Sequence, residues 1–175
     1  MKDSTKIISF FVSFIKPKNY LEIGINKCET LNEVSKYSKF CYGVDPNSNC
    51  INFIDKSQKN IFFLNTTSDN FFRSNKKTYN VIFIDGLHTF KQVKKDLSNS
   101  FLCLNKGGWI FLHDTYPPNK EHLKSNLCGD VFKILPTLKE SVNLNFEILT
   151  LPWAYGITII HEMTTQNEHF KNLIC

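Results

Sequence analysis

A doubly wound α/β domain, built on a mostly parallel sheet covered on both faces, is the fold class that this sequence predicts. Three observations predict it. Strand-like segments alternate with helical ones through most of the chain. The strand segments, such as YLEIGI, IFFLNT and WIFLHD, are close to continuously apolar, the mark of strands buried on both faces. Each of the first five also ends in polar residues, at the carboxyl end where open parallel sheets bind their ligands.

Taken in order, IISFFVSFI (7–15) reads as a helix within an N-terminal element spanning 1–18, with Phe10, Phe11 and Phe14 packed on the domain. YLEIGI (20–25) is the first strand and KCETLNEVSKYS (27–38) the following helix. FCYGVD (40–45) is a second strand, stopped by Pro46 and Asn47, and a weaker helical stretch at 51–56 leads to a third strand, IFFLNT (61–66). DNFFRS (69–74) is a short helix and YNVIFID (79–85) the fourth strand. The clearest helix follows, because Phe90, Val93, Leu97, Phe101 and Leu104 step by three or four while Lys91, Lys94, Lys95 and Asp96 fall on the other face. Asn105-Lys106-Gly107-Gly108 reads as its stop signal and WIFLHD (109–114) as strand five.

Beyond Thr115 a polar, proline-bearing loop (115–126) is longer than an ordinary connection. DVFKILPTLKES (130–141) is helical with a kink or break expected at Pro136. NFEILTL (145–151) and YGITIIHE (155–162) are too close for a crossover helix and so form an antiparallel pair. The whole of 1–175 reads as one domain, since no linker, repeat or low-complexity tract divides it.

Composition excludes several function classes. With 42% hydrophobic and 21% charged residues the chain is globular rather than disordered. The net charge of +5 comes almost wholly from scattered lysines, Arg73 being the sole arginine, so a clustered nucleic-acid footprint is missing and no nucleic-acid partner is expected. The apolar 7–15 stretch is too short to span a bilayer, and Lys16-Pro17-Lys18 follows it in place of a cleavage site, so no membrane partner is expected. Six cysteines without a CxxC pair read as buried free thiols, placing the protein in the cytoplasm.

The strand ends carry the chemistry. Gly24 allows close backbone approach before a helix N-terminus, but a dinucleotide fingerprint would carry glycines where Asn26 and Glu29 stand. Asp45, at the next strand end, is placed to accept ribose hydroxyls, although Asp-Pro-Asn is also ordinary turn chemistry. Asp85 ends the VIFID run, where an unpaired buried charge is costly, and Asp114 ends the neighbouring strand. Two adjacent carboxylates need something positive between them: a divalent cation, a cationic ligand group, or a protonated His88 or His113.

YLEIGINKCETL, YGVDPN, TTSDNFF, VIFIDGLHTFKQVKKDL, LNKGGWIFLHDTYPP and CGDVFKIL together resemble the successive motifs of class I S-adenosylmethionine-dependent methyltransferases. They are most similar to small bacterial members with an IDGxH…GG…HD signature, often placed near sugar and polysaccharide biosynthesis. The resemblance implies a three-layer Rossmann-like fold whose seven-stranded, mostly parallel sheet has an antiparallel last strand. It also implies O-methylation of a small or sugar-derived acceptor, with S-adenosylmethionine as cofactor and a homodimer as one possible assembly. Carried over, Glu22, Gly24 and Asn26 line the methionine part of the cofactor, Asp45 its ribose, and Ser68 and Asp69 its adenine. Asp85 faces both cofactor and acceptor, and His88 is the base. By partial likeness to metal-dependent catechol-type enzymes, Asp85, His113 and Asp114 would hold Mg or Mn. Cys28 stands where the family commonly has glycine, and its thiol is expected to crowd the cofactor. Two other functions remain open on these residues. One is an NAD(P)-binding oxidoreductase; the other is a non-catalytic binding subunit whose cofactor site is degenerate at Cys28.

Overall fold

A computed structural model describes residues 1–141 and 146–163. Seven strands form one sheet: β1 (Asn19–Ile23), β2 (Phe40–Val44), β3 (Ile61–Leu64), β4 (Tyr79–Ile84), β5 (Leu104–Leu112), β6 (Phe146–Leu151) and β7 (Ile157–Glu162). Their spatial order is β3-β2-β1-β4-β5-β7-β6, with β1 to β5 mutually parallel and β7 antiparallel to both neighbours. The expected antiparallel pair is therefore a β6–β7 hairpin whose second strand inserts beside β5.

Side-chain alternation along the strands feeds two cores. On one face Leu21, Ile23, Ile82, Ile84, Ile110 and Leu112 pack against α3 (Ser68–Ser74), α4 (Phe90–Leu102) and α5 (Ile134–Ser141). On the other, Tyr20, Val81, Phe83, Phe111 and Ile159 pack against α1 (Asp3–Ile15) and α2 (Glu29–Val34). Each fully buried aliphatic or aromatic side chain contributes about 1.5–3 kcal/mol, so both layers are needed to hold the sheet.

Several local expectations are corrected. Phe10 and Phe14 of α1 are 59% and 73% exposed, and it is Ile8 and Val12 that are buried while Phe11 packs beside Trp109 and Phe111. Residues one turn apart share a stripe, so 8 and 12 face inward while 10 and 14 face out. Asn105-Lys106-Gly107-Gly108 does not end a helix: α4 stops at Leu102 and these residues open β5, which pairs Leu104 with Tyr79 before a register shift. Leu104 thus belongs to the strand. The 51–56 stretch is instead a 3-10 helix, Ser48–Phe53. Pro136 sits in the first turn of α5, just after a 3-10 turn at Val131–Lys133, where its missing N–H costs little. Cys28, Cys41, Cys50, Cys103 and Cys128 are free and buried, and Cys175 lies outside the described residues.

Candidate active site

The carboxyl ends of β1, β2, β4 and β5 surround a cavity of about 670 Å³, closed by the start of α1 and by residues 126–128. All ten site residues expected from the sequence line it: Glu22, Gly24, Asn26, Asp45, Ser68, Asp69, Asp85, His88, His113 and Asp114. They meet because successive parallel strands deliver their following residues to one rim.

The register Ile84↔Leu112 places Asp85 beside the residues that follow β5. His113 Nδ1 lies 2.9 Å from Asp85 Oδ1 and 3.3 Å from Asp114 Oδ1, wedged between the two carboxylates. His88 Nε2 is 3.4 Å from Asp114 Oδ2 and 3.7 Å from Asp85 Oδ1, while its Nδ1 contacts the Leu127 carbonyl. Burial opposes the charged forms of Asp85, His88 and His113. For Asp85 that penalty is outweighed by His113 and then His88, which hold its carboxyl well below the usual range. For His113 burial is outweighed by Asp85 and Asp114, and its imidazole is pushed up to about 10. The Asp85 hydrogen bond raises His88 too. Two imidazoles thus stand against two carboxylates. Asp114 is buried and holds φ +61°, a strained backbone for a residue with a Cβ.

Asp45 is busier than its sequence position implied. Its carboxylate accepts backbone N–H groups from Ile25 (3.0 Å), Asn26 (3.2 Å) and Asn47 (2.9 Å), so it shapes the turn after β1. Gly24, at φ +83°, faces another strand end: a Cβ there would stand 2.2 Å from the Asp85 carbonyl oxygen. The close approach its glycine allows is therefore between β1 and β4. Cys28 contradicts the expectation of crowding. It adopts φ +56° and is fully buried, and its thiol points to the Cys50 carbonyl (3.3 Å) among core residues rather than lining the cavity. The main support for a degenerate cofactor site is thereby removed.

Glu22 is buried beside the cavity and accepts a hydrogen bond from the Tyr20 hydroxyl (2.9 Å); burial pushes its carboxyl well above the usual range. Ser68 and Asp69 open α3 and are tied to α4 by Gln92, whose amide lies 3.2 Å from the Ser68 hydroxyl and 3.0 Å from Asp69. Lys95 pairs with Asp69. Sequence reasoning missed Gln92, Lys2, Ser4 and Tyr155, all on the cavity wall. Gln92 had a detectable signal, since it is a polar residue one helical turn from the buried Asp96 and bonds it at 3.0 Å.

A family model described as "Methyltransferase domain" matches residues 23–115, more than half of the chain. No curated protein matches the sequence. Among solved structures, one assigned as a caffeoyl-CoA O-methyltransferase from Staphylococcus aureus superposes with a TM-score of 0.72 at 16% identity, covering 93% of this chain and 84% of that one. An S-adenosylhomocysteine-bound methyltransferase from Podospora anserina gives 0.70 at 17% identity, with 92% and 78% covered. An rRNA methylase from Streptococcus thermophilus gives 0.69 at 9% identity, with 94% and 99% covered. At these identities the superpositions show a shared fold. The family match covers the strand ends that build the cavity and leaves the oxidoreductase alternative without support. The chain belongs to the methyltransferase-domain family, as a class I S-adenosylmethionine-dependent methyltransferase.

Proposed function

We propose that the protein methylates a hydroxyl oxygen of a small or sugar-derived acceptor. The observation that carries this reading is the balanced set of Asp85, Asp114, His88 and His113 on the wall of the cavity that also holds Glu22 and Asp45. An alcohol loses its proton as it is methylated, so a group that can accept that proton must stand beside it. Bound S-adenosylmethionine supplies a methyl group on a cationic sulfur. The residues fit it by the chemistry of their donors: Asp45 takes the ribose, Glu22, Gly24 and Asn26 the methionine part, and Ser68 and Asp69 the adenine. His88 accepts the hydroxyl proton at Nε2 in its neutral form, while His113 keeps the Asp85 and Asp114 charges balanced. The 115–126 loop, through His122 and Asn126, and the start of α1 bound the acceptor side.

No helix among the described residues is long and apolar enough to cross a membrane. We take residues 1–175 to work as a single domain in the cytoplasm, without a nucleic-acid partner.

A second reading adds Mg or Mn, because Asp85, His113 and Asp114 each offer a donor atom and all three lie within 4.8 Å of one another. His113 Nδ1 already occupies the space between the carboxylates, so a cation there has to displace its proton. Radiolabelled methyl transfer to a panel of sugars and phenols tests both readings. Label in base-stable ethers supports O-methylation, and label only in amines or RNA overturns it. Activity abolished by chelator and restored by Mg²⁺ or Mn²⁺ supports the metal; activity indifferent to chelator removes it.

A further inference from the structure

We infer that the outer face of α1 docks the protein on an anionic lipid bilayer, with Phe10 and Phe14 entering the headgroup layer and the lysines at the helix's carboxyl end meeting the lipid charge. The inference does not depend on which acceptor the cavity takes.

Folding leaves this face uncovered. Phe10 and Phe14 lie one turn apart on the stripe opposite Ile8 and Val12, and their rings pack on each other with 4.9 Å between centroids. Trp153, 66% exposed, stands at the amino end of the same helix, its indole N–H donating to Asp3 at 3.4 Å. The exposed parts of these three rings amount to roughly 400 Å², the scale of the largest apolar patch on an ordinary monomer, which is often functional.

Charge collects at the other end. Lys16 closes α1 in a left-handed conformation, and Lys39 is tied next to Lys18 by its N–H to the Pro17 carbonyl (3.0 Å). Lys16, Lys18 and Lys39 are exposed, and among the described residues none of them forms an ion pair. The one acid of α1, Asp3, is already met by Lys6 at 2.9 Å.

Shape and charge choose the occupant. Phe10 and Phe14 ride the crest of a helix, where a protein partner would need shaped pockets to receive them. The acyl boundary of a bilayer is fluid and receives them without pockets. The α1 of a second copy offers the lysines only Asp3, which is already paired. The cytoplasmic leaflet is anionic, and each lysine near it adds to the attraction. The 7–15 stretch is too short to cross a bilayer, and lying on one needs no crossing.

Co-sedimentation with vesicles tests the inference. The native protein should pellet with phosphatidylcholine vesicles containing about one-third phosphatidylserine, and stay in solution with phosphatidylcholine alone. Phe10→Gln with Phe14→Gln should lower the partition coefficient by at least about tenfold at unchanged charge. Lys16→Gln, Lys18→Gln and Lys39→Gln together should lower it by a similar factor, and added salt should weaken native binding. The substituted side chains are exposed, so the variants should melt with the native protein. Native protein that stays in solution with both vesicle types overturns the inference, as does an unchanged partition coefficient in the phenylalanine pair. A dimer in sedimentation equilibrium without vesicles, abolished by the same pair, gives this face to a second copy and overturns it too.

Discussion

Replacing Gly24 with alanine, set against the same change at Gly86, tests how the site is assembled. Gly24 has φ +83°, and an alanine forced into the left-handed region costs about 1–2 kcal/mol. Its Cβ would also lie 2.2 Å from the Asp85 carbonyl oxygen and 2.6 Å from the Gly86 Cα, both backbone atoms that cannot rotate aside. Overpacking of this kind typically costs a further 1–3 kcal/mol or so. The sum, about 2–5 kcal/mol, is a large share of the roughly 5–15 kcal/mol that holds a domain together. At Gly86 the nearest atom to a new Cβ is the Ile23 Cγ2 at 3.4 Å, an ordinary contact, and its φ is not left-handed. Gly86→Ala should be neutral or gain a few tenths of a kcal/mol or so through the unfolded chain. Urea denaturation reads the difference: with m about 2 kcal/mol/M, the Gly24→Ala midpoint falls by about 1–2.5 M and that of Gly86→Ala stays put. Equal midpoints, or the reverse order, would refute the conclusion that close approach of β1 and β4 is what requires this glycine.

Cys28→Gly should leave S-adenosylhomocysteine affinity unchanged, because the thiol faces the Cys50 carbonyl; its stability should move by only about 1 kcal/mol, since relief of the positive φ offsets the lost packing. A clear gain in affinity by calorimetry would restore the crowding interpretation. Asp45→Ala should both weaken S-adenosylhomocysteine by at least about tenfold and lower the urea midpoint, since the carboxylate carries three backbone amides as well as its proposed ribose role. Stability should also depend on pH in both directions. His113 is raised to about 10, so its contribution is whole below its unfolded value near 6.5 and is lost as pH climbs toward 10, at up to about 1.4 kcal/mol per unit. Asp85 is held low, so its contribution is present above the ordinary carboxylate range and is lost as pH falls below it. Urea midpoints measured between pH 3 and 10 should form a plateau between those limits, with the alkaline fall flattened in His113→Gln.

Apolar runs bounded by turn residues were enough to place every strand and the main helices, because burial on both faces leaves a strong signal in VIFI, IFFL and WIFL. The strand-end residues converged because sheet geometry allows little else. What failed depended on direction rather than existence. Counting Phe10 and Phe14 as core ignored that a helix lying on a sheet buries one stripe, already filled by Ile8 and Val12. Gly107-Gly108 carries a stop signal in the sequence, yet it lies in β5 because pairing from Leu104 outweighs local propensity. The Cys28 thiol points into the core because of a left-handed backbone, a conformation that residue type alone does not announce. Lys2 and Ser4 belong to no motif, and only packing α1 beside α2 brings them to the cavity.

The charge at the end of VIFID is answered by sheet register. Because Ile84 pairs with Leu112, the residue following each strand falls beside the other, and Asp85 meets His113 at 2.9 Å. Asp114 and His88 complete the set, the latter pinned through Nδ1 to the Leu127 carbonyl so that only Nε2 faces the carboxylates. That tautomer matters. With Nδ1 committed as a donor to the Leu127 carbonyl, Nε2 is the nitrogen of His88 left to meet Asp85 and Asp114, and these carboxylates raise its affinity for a proton. Any cation brought against Asp85 and Asp114 takes over part of their charge and weakens that hold. Whether the cation is organic or a metal ion, the electrostatic consequence for His88 has the same sign: its affinity for a proton falls.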